Sequence, residues 1–215
     1  MDIQKYNVII FDCDGVIYNT NTLKLEAFKS ILSSFGDDNV HEFLKYFRFN
    51  FGRSRYVHIR YFIEDILKIS FDEKLYEQLV LSYGSRCKLL YTEAELCIGV
   101  MDLLENLKNV AKYVASGSDQ NELRKVFKSN FLDCYFEGIY GSPQTKNNLV
   151  KEICSRYEDR NILMIGDAHA DYVAAKCSQI DFLYVERYSV EKLNMKTLSI
   201  KENFQSVSDL SNITW

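Results

Sequence analysis

Two carboxylates separated by one cysteine, Asp12-Cys13-Asp14, close an apolar run and are followed at once by Gly15, in VIIFDCDGVIYN at residues 8–19. Carboxylates bind hard cations and can attack phosphorus, so a pair this close suggests divided labour within one pocket. Complementary chemistry lies further along: Ser116 before Gly117 in VASGS, Lys146 after Thr145, and Asp167 in MIGDAHAD. One hydroxyl, one ammonium and two carboxylates make a site for a phosphate plus a divalent cation. Mg²⁺ prefers oxygen ligands and takes one or two protein carboxylates, leaving positions for water and a phosphate oxygen, a count that Asp12 and Asp167 meet. Phosphoryl transfer spreads negative charge over the equatorial oxygens, so catalysis is mainly positioning and neutralisation. Asp12 is the candidate nucleophile, passing through an aspartyl phosphate. A cation on Asp12 favours its anion, which leaves Asp14 the protonated partner that serves the leaving oxygen as acid and later water as base. Gly15 permits the tight turn that brings both into one pocket.

These residues meet only if the right elements carry them. Residues 6–11 (YNVIIF), 112–116 (KYVAS), 161–166 (NILMIG) and 181–186 (DFLYVE) have the length and apolar content of buried strands, and YFEGIYG at 135–141 adds a short one. Helical patterns fall between the later strands, in GVMDLLENLK, DQNELRKVFKSNF, TKNNLVKEICSRY and DYVAAKCS. The alternation predicts an α/β fold, a parallel sheet with helices on both faces, whose ligands gather at the carboxyl ends of the strands where Asp12, Ser116 and Asp167 fall. Ser116, Gly117 and the N–H groups opening the next helix could receive phosphate oxygens. Asp119 with Glu122 has the form of a capping box, and Thr145 is a plausible N-cap ahead of Lys146.

Residues 19–92 break the alternation. They contain no strand-like run and read as consecutive amphipathic helices, with Leu23, Ala27, Ile31 and Leu32 on one face of the first, Leu75, Leu79 and Tyr83 on one face of the last, and a loop at FGRSRY, residues 51–56. The predicted organisation is a core of residues 1–18 and 93–215 carrying a helical cap of residues 19–92. The tail beyond about residue 187 is poorly periodic.

Composition narrows the function. With 47% hydrophobic and 26% charged residues, the 215-residue chain is apolar enough for a packed core, and its net charge of -4 supplies no general attraction for nucleic acid or anionic membranes. An anionic ligand must therefore meet a local positive site. No run approaches a membrane span, the N-terminus lacks a signal-peptide pattern, and six cysteines without metal-ligand spacing suit a reducing compartment, so a cytoplasmic location is expected.

Taken together and in order, FDCDGV, VASGS, Lys146 and MIGDAHAD resemble the four motifs of the haloacid dehalogenase-like hydrolase superfamily, in its helical-cap branch of phosphoglycolate phosphatases and β-phosphoglucomutases. The resemblance runs from residue 8 to about residue 186. It implies a Rossmann-like core with an inserted helical cap that closes over the site, Asp12 as nucleophile, Asp14 as acid/base, and Ser116 and Lys146 on the phosphate. It also implies Mg²⁺ on Asp12, the Asp14 carbonyl and Asp167, with Asp171 supporting from behind. GRSRY resembles the G-x-S-R loop of the mutases, which makes Arg55 the candidate substrate contact, and with YGSPQTK it resembles hydrolases that make surface-polysaccharide precursors. Retention of Asp14 points to phosphate esters rather than halides.

The chain departs from the pattern at Asn19, where many relatives have Asp, at CIGV in residues 97–100, and at Lys24, where the mutases carry His. The missing His favours hydrolysis over mutase chemistry. The expected function is a Mg²⁺-dependent phosphatase acting on a small phosphorylated metabolite such as a sugar phosphate. A hexose phosphomutase is the alternative enzyme, and a non-catalytic interaction protein the alternative of another class. The C-x5-R match CSRYEDR, Cys154 to Arg160, lacks glycine and holds Glu158 and Asp159, which would repel phosphate, so cysteine-based chemistry is not expected.

Overall fold

The computed structural model describes residues 3–158 and 161–214. Its centre is a six-stranded, all-parallel sheet built from β1 (Val8–Phe11), β2 (Ala111–Asp119), β3 (Gly138–Ser142), β4 (Ile162–Gly166), β5 (Asp181–Val185) and β6 (Gln205–Val207), in the order β3-β2-β1-β4-β5-β6. Strand β1 is buried along its whole length, and its side chains alternate between two cores: Ile9 and Phe11 face one, Val8 and Ile10 the other. A strand covered on both faces has to be apolar throughout, which is why VIIF shows no polar alternation.

Helices α1 (Asn21–Leu32), α2 (Asp37–Phe49), α3 (Arg55–Tyr61) and α4 (Glu73–Glu93) form the inserted block, with a π-helical turn over Phe62–Ile66 after α3. The block has its own aromatic core around Phe28, Phe43, Phe47, Phe62 and Tyr83. The chain leaves the sheet and returns along two adjacent segments joined by Asn19 N–H to the Glu95 carbonyl and Cys97 N–H to the Ile17 carbonyl, both 2.9 Å. On α1 the buried positions are Asn21, Lys24, Leu25, Ala27, Phe28 and Leu32, whereas Leu23 and Ile31 are only half-buried. The expected stripe is rotated because Lys24 and Asn21 are polar yet turned inward toward the sheet.

Helices α5 (Val100–Asn106) and α6 (Gln120–Ser129) cover one face of the sheet, and α7 (Lys146–Cys154), α8 (His169–Ser178) and α9 (Lys192–Glu202) the other. The tail thus contributes α9 and edge strand β6, with Met195 fully buried, although its periodicity is weak. No disulfide joins the described residues, and none of their helices is long and apolar enough to cross a membrane.

Candidate active site

Register places the chemistry. Phe11 lies opposite Val114 on one side and Ile165 on the other, so Asp12, Ser116 and Asp167, one or two residues beyond these partners, emerge at the same edge of the sheet. This is also where strand order reverses about β1, the topological switch at which doubly wound sheets open a crevice. Gly15 turns the chain there with φ of 80°, and a Cβ at this position would collide with Asp167 Oδ2 and the Asn21 amide, so only glycine fits. Cys13 points into the core beneath, fully buried, and burial pushes its thiol well above the ordinary range.

One side of the crevice is acidic. Single oxygens of Asp12, Asp167 and Asp171 lie within 4.8 Å of one another, and all three residues are buried. Lys146, the first residue of α7, stands 2.9 Å from Asp12 Oδ1 as an ion pair and donates a hydrogen bond to Asp171 Oδ1. Thr145 caps that helix, its Oγ1 accepting from Asn148 N–H at 3.4 Å. Asp171 is fully engaged, since its Oδ2 accepts from the N–H groups of Asp167 and Ala168 at 3.1 and 3.0 Å. Asp167 Oδ2 accepts from Asn21 Nδ2 at 2.6 Å, while Asp167 Oδ1 receives no hydrogen bond and Asp12 Oδ1 only the ion pair. Burial, reinforced by the charge of Asp171, lifts the Asp12 carboxyl to about 7, and burial with the charges of Asp171 and Asp12 lifts Asp167 well above the carboxylate range. Asp167 Oδ1, with no donor, and Asp12 Oδ1, with only the shared ammonium of Lys146, held together against the repulsion of their acids, fit a hard divalent cation.

Asp14 lies outside that cluster, and its surroundings are different. Its Oδ1 accepts from Thr20 Oγ1 at 2.5 Å and Tyr91 OH at 2.7 Å, and its Oδ2 accepts from Ser118 Oγ at 2.9 Å and from Lys24 Nζ. Lys24 also donates to Ser118 Oγ at 2.6 Å. Burial works against the Asp14 charge, yet the Lys24 ammonium and these hydroxyl donors outweigh it and hold the carboxyl below its ordinary range. Asp14 thus has a lysine matched to it, whereas Lys146 is divided between Asp12 and Asp171.

Ser116 is fully buried, its Oγ accepting from Ser118 N–H at 3.1 Å. Next to it, Gly117 is covered by the 51–54 loop: a Cβ there would collide with the Gly52 carbonyl oxygen. Arg55 opens α3 and is buried, its guanidinium forking onto Glu122 of α6, with Nη1 to Oε1 at 3.1 Å and Nη2 to Oε2 as the closer arm, and it lies 5.3 Å from the Tyr83 ring centre. Asp119 caps α6 through the N–H groups of Asn121 and Glu122, but the Glu122 side chain does not reach back to complete a capping box, because it is taken by Arg55. Arg53, exposed, carries no ion pair among the described residues. Thr20, Asn21, Tyr91, Ser118 and His58 escaped the sequence reading. Ser118 had a signal, sharing a strand face with Ser116 two residues earlier. Cys154 is buried at the end of α7, while Asp159 and Arg160 of its C-x5-R stretch lie outside the described residues.

The likeness to known proteins runs through the whole arrangement. In structure, the chain resembles a β-phosphoglucomutase from Clostridium difficile with a TM-score of 0.75 at 20% identity, covering 98% of this chain and 94% of that one. A hydrolase from Pseudomonas syringae gives the same TM-score at 17% identity, with 95% and 94% covered. YfnB from Bacillus subtilis, described as a HAD-hydrolase and solved with magnesium, gives 0.61 at 18% identity over 89% of this chain and 98% of that one. Among curated proteins none matches. The family model of haloacid dehalogenase-like hydrolases matches residues 9–185, a stretch that holds the strand-end acids, the serine and the lysine in one reading frame, and the chain belongs to that family.

Proposed function

We propose that the chain is a Mg²⁺-dependent phosphatase acting on a small phosphorylated metabolite, a sugar phosphate by preference, through an aspartyl phosphate on Asp12. The observation that carries this reading is the gathering in one crevice of a donor-free carboxylate oxygen on Asp167, the Asp12 carboxylate and the buried Lys146 paired with it. Asp12, Asp167 and the main-chain carbonyl of Asp14 would hold the cation, and Asp171, both of whose oxygens are engaged, would support from behind. Bound there, Mg²⁺ supplies positive charge that offsets repulsion between the carboxylate and an incoming phosphate dianion. Lys146 neutralises the phosphate oxygens, and Ser116 with the Gly117 N–H orients them.

The Asp12 carboxylate attacks phosphorus as the ester P–O bond breaks, and protonated Asp14 gives its proton to the leaving oxygen. Water then attacks the phosphorus of the aspartyl phosphate and gives a proton to the Asp14 carboxylate as the bond between phosphorus and the Asp12 oxygen breaks, releasing inorganic phosphate and restoring the Asp12 carboxylate. As held by Lys24, Asp14 is ready for the second half, where a carboxylate base is needed. The first half requires the same carboxyl protonated, so Lys24 must yield its place as substrate binds. In this reading residues 1–18 and 93–215 are the catalytic core and residues 19–92 the cap, and the enzyme works in the cytoplasm, consistent with cysteines that form no disulfide. Likeness to the mutase keeps a phosphomutase as the second reading. Phosphate release from a panel of sugar phosphates, with and without Mg²⁺, separates them: rapid release without isomerisation supports the phosphatase, and isomerised product with little free phosphate supports the mutase.

A further inference from the structure

His58 sits in α3, three residues beyond Arg55, and is 1% exposed. Its ring is packed against Phe47 at 4.7 Å and Phe28 at 6.1 Å, both in near-perpendicular contact. Apart from a backbone interaction with Arg53, neither ring nitrogen has a hydrogen-bond partner. Leaving both nitrogens of a buried imidazole unanswered is unfavourable, and a packed aromatic core would be better served by phenylalanine. The ring lines a cavity of about 20 Å³, room for about one water, whose other walls include Asp12, Asp14, Lys24, Arg55 and Gly117. Thus an unpartnered polar side chain of the inserted block lines the same cavity as the candidate nucleophile and acid/base.

The charges around that chamber define what would enter it. Lys24 is matched by Asp14 and Arg55 by Glu122, each as a buried pair. Arg53, exposed, lines this cavity and also a larger outer one of about 360 Å³, whose other walls include Asn50, Gln144, Asn147 and Lys146. Among the described residues the two buried cations of the chamber are thus each matched by a carboxylate, whereas the exposed Arg53 on its wall has no ion pair. Burial keeps the His58 imidazole neutral, with its pKa drawn down to about 3. A neutral imidazole carries one N–H donor and one bare nitrogen acceptor, the complement of an alcohol hydroxyl, which both donates and accepts.

We propose that His58 binds a hydroxyl group of the substrate close to the ester oxygen, so that the enzyme prefers phosphate esters of hydroxyl-bearing alcohols, polyols and monosaccharides, over esters of plain alkyl alcohols. The inference rests on the phosphatase reading and adds a specificity-determining residue to it. The leaving group enters from the outer cavity when the 51–54 loop lifts from Gly117, and closure then sets its hydroxyl against the ring.

The test compares kcat/KM for glycerol phosphate against propyl phosphate and for a hexose phosphate against its deoxy analogue, all with Mg²⁺. The wild type is expected to favour the hydroxylated member of each pair by at least about tenfold. In His58→Phe the ratio should fall toward one, with partial recovery in His58→Gln. Because no standard hydrogen bond is lost, His58→Phe should melt no lower than the wild type, a result that a structural histidine would not give. A wild-type ratio near one, or a wild-type ratio retained in His58→Phe, overturns the proposal, and the first of these is decisive even where the variant does not fold. Absence of turnover with every ester overturns the phosphatase reading itself, and the His58 inference with it.

Discussion

The Arg55–Glu122 pair joins α3 of the inserted block to α6 on the sheet, and its strength follows from burial. The two side chains are 5% and 15% exposed and the contact is bidentate. Breaking such a pair by removing one partner costs roughly 3–5 kcal/mol, chiefly because the other charge remains buried and unanswered. The two halves should differ. In Glu122→Gln the guanidinium stays charged at any accessible pH, while an amide oxygen and the Tyr83 ring soften the loss, so we expect about 3 kcal/mol. In Arg55→Met the orphan is the more exposed carboxylate, which can reach water, and the cost should be about 1–2 kcal/mol. The double variant Arg55→Met/Glu122→Leu should return to within about 1 kcal/mol of the wild type, since an apolar pair of similar volume replaces a buried ion pair with little loss. Urea unfolding of the four proteins at pH 7 measures this cycle. Losses below about 0.5 kcal/mol for both single variants, adding in the double, would refute the claim that this contact is a buried clasp.

Three further outcomes are expected. Burial lowers the His58 pKa to about 3 in the folded chain, so its contribution to stability is present above the ordinary value near 6.5 and is lost as pH falls: about 2 kcal/mol should disappear between pH 7 and pH 5, and urea unfolding of His58→Phe should lack this acid limb. Gly117→Ala puts a Cβ into the Gly52 carbonyl and should push the 51–54 loop away, reducing kcat/KM by about a hundredfold or more and speeding proteolysis of that loop; unchanged kinetics would mean that the loop does not close there. Gly15→Ala drives a side chain into Asp167 at a positive φ and should weaken Mg²⁺ activation, read as a rise of about tenfold or more in the Mg²⁺ concentration needed for half-maximal activity.

How much of this was legible follows from the range of each interaction. The strand-end acids were readable because a short apolar run, a carboxylate and a glycine are local signals, and parallel register then brings distant strand ends together without further information. Lys146 was readable for the same reason, standing just after a helix cap. The setting of Asp14 was not: Tyr91 reaches it from the end of α4, 77 residues away in sequence, and Lys24 sits on a helix face whose polarity argued for solvent. Burying Lys24 and Asn21 also explains why the α1 stripe was misphased, since binary patterning treats an inward lysine as an outward one. Glu122 had the spacing of a capping residue but serves Arg55 instead, a choice that only tertiary packing decides. In α9 the amphipathic signal is weak because a single residue, Met195, is buried on a helix at the sheet margin.

The central claim is that the Asp12 carboxylate carries the phosphoryl group. Rapid acid quenching during turnover of a phosphate ester with Mg²⁺, followed by peptide mass spectrometry, tests it directly. The account predicts a transient phosphoryl group on the Asp12 side chain, absent without Mg²⁺, and loss of turnover by about a thousandfold or more in Asp12→Asn. Undiminished turnover in Asp12→Asn, or a phosphoryl group trapped on any other residue, would contradict it.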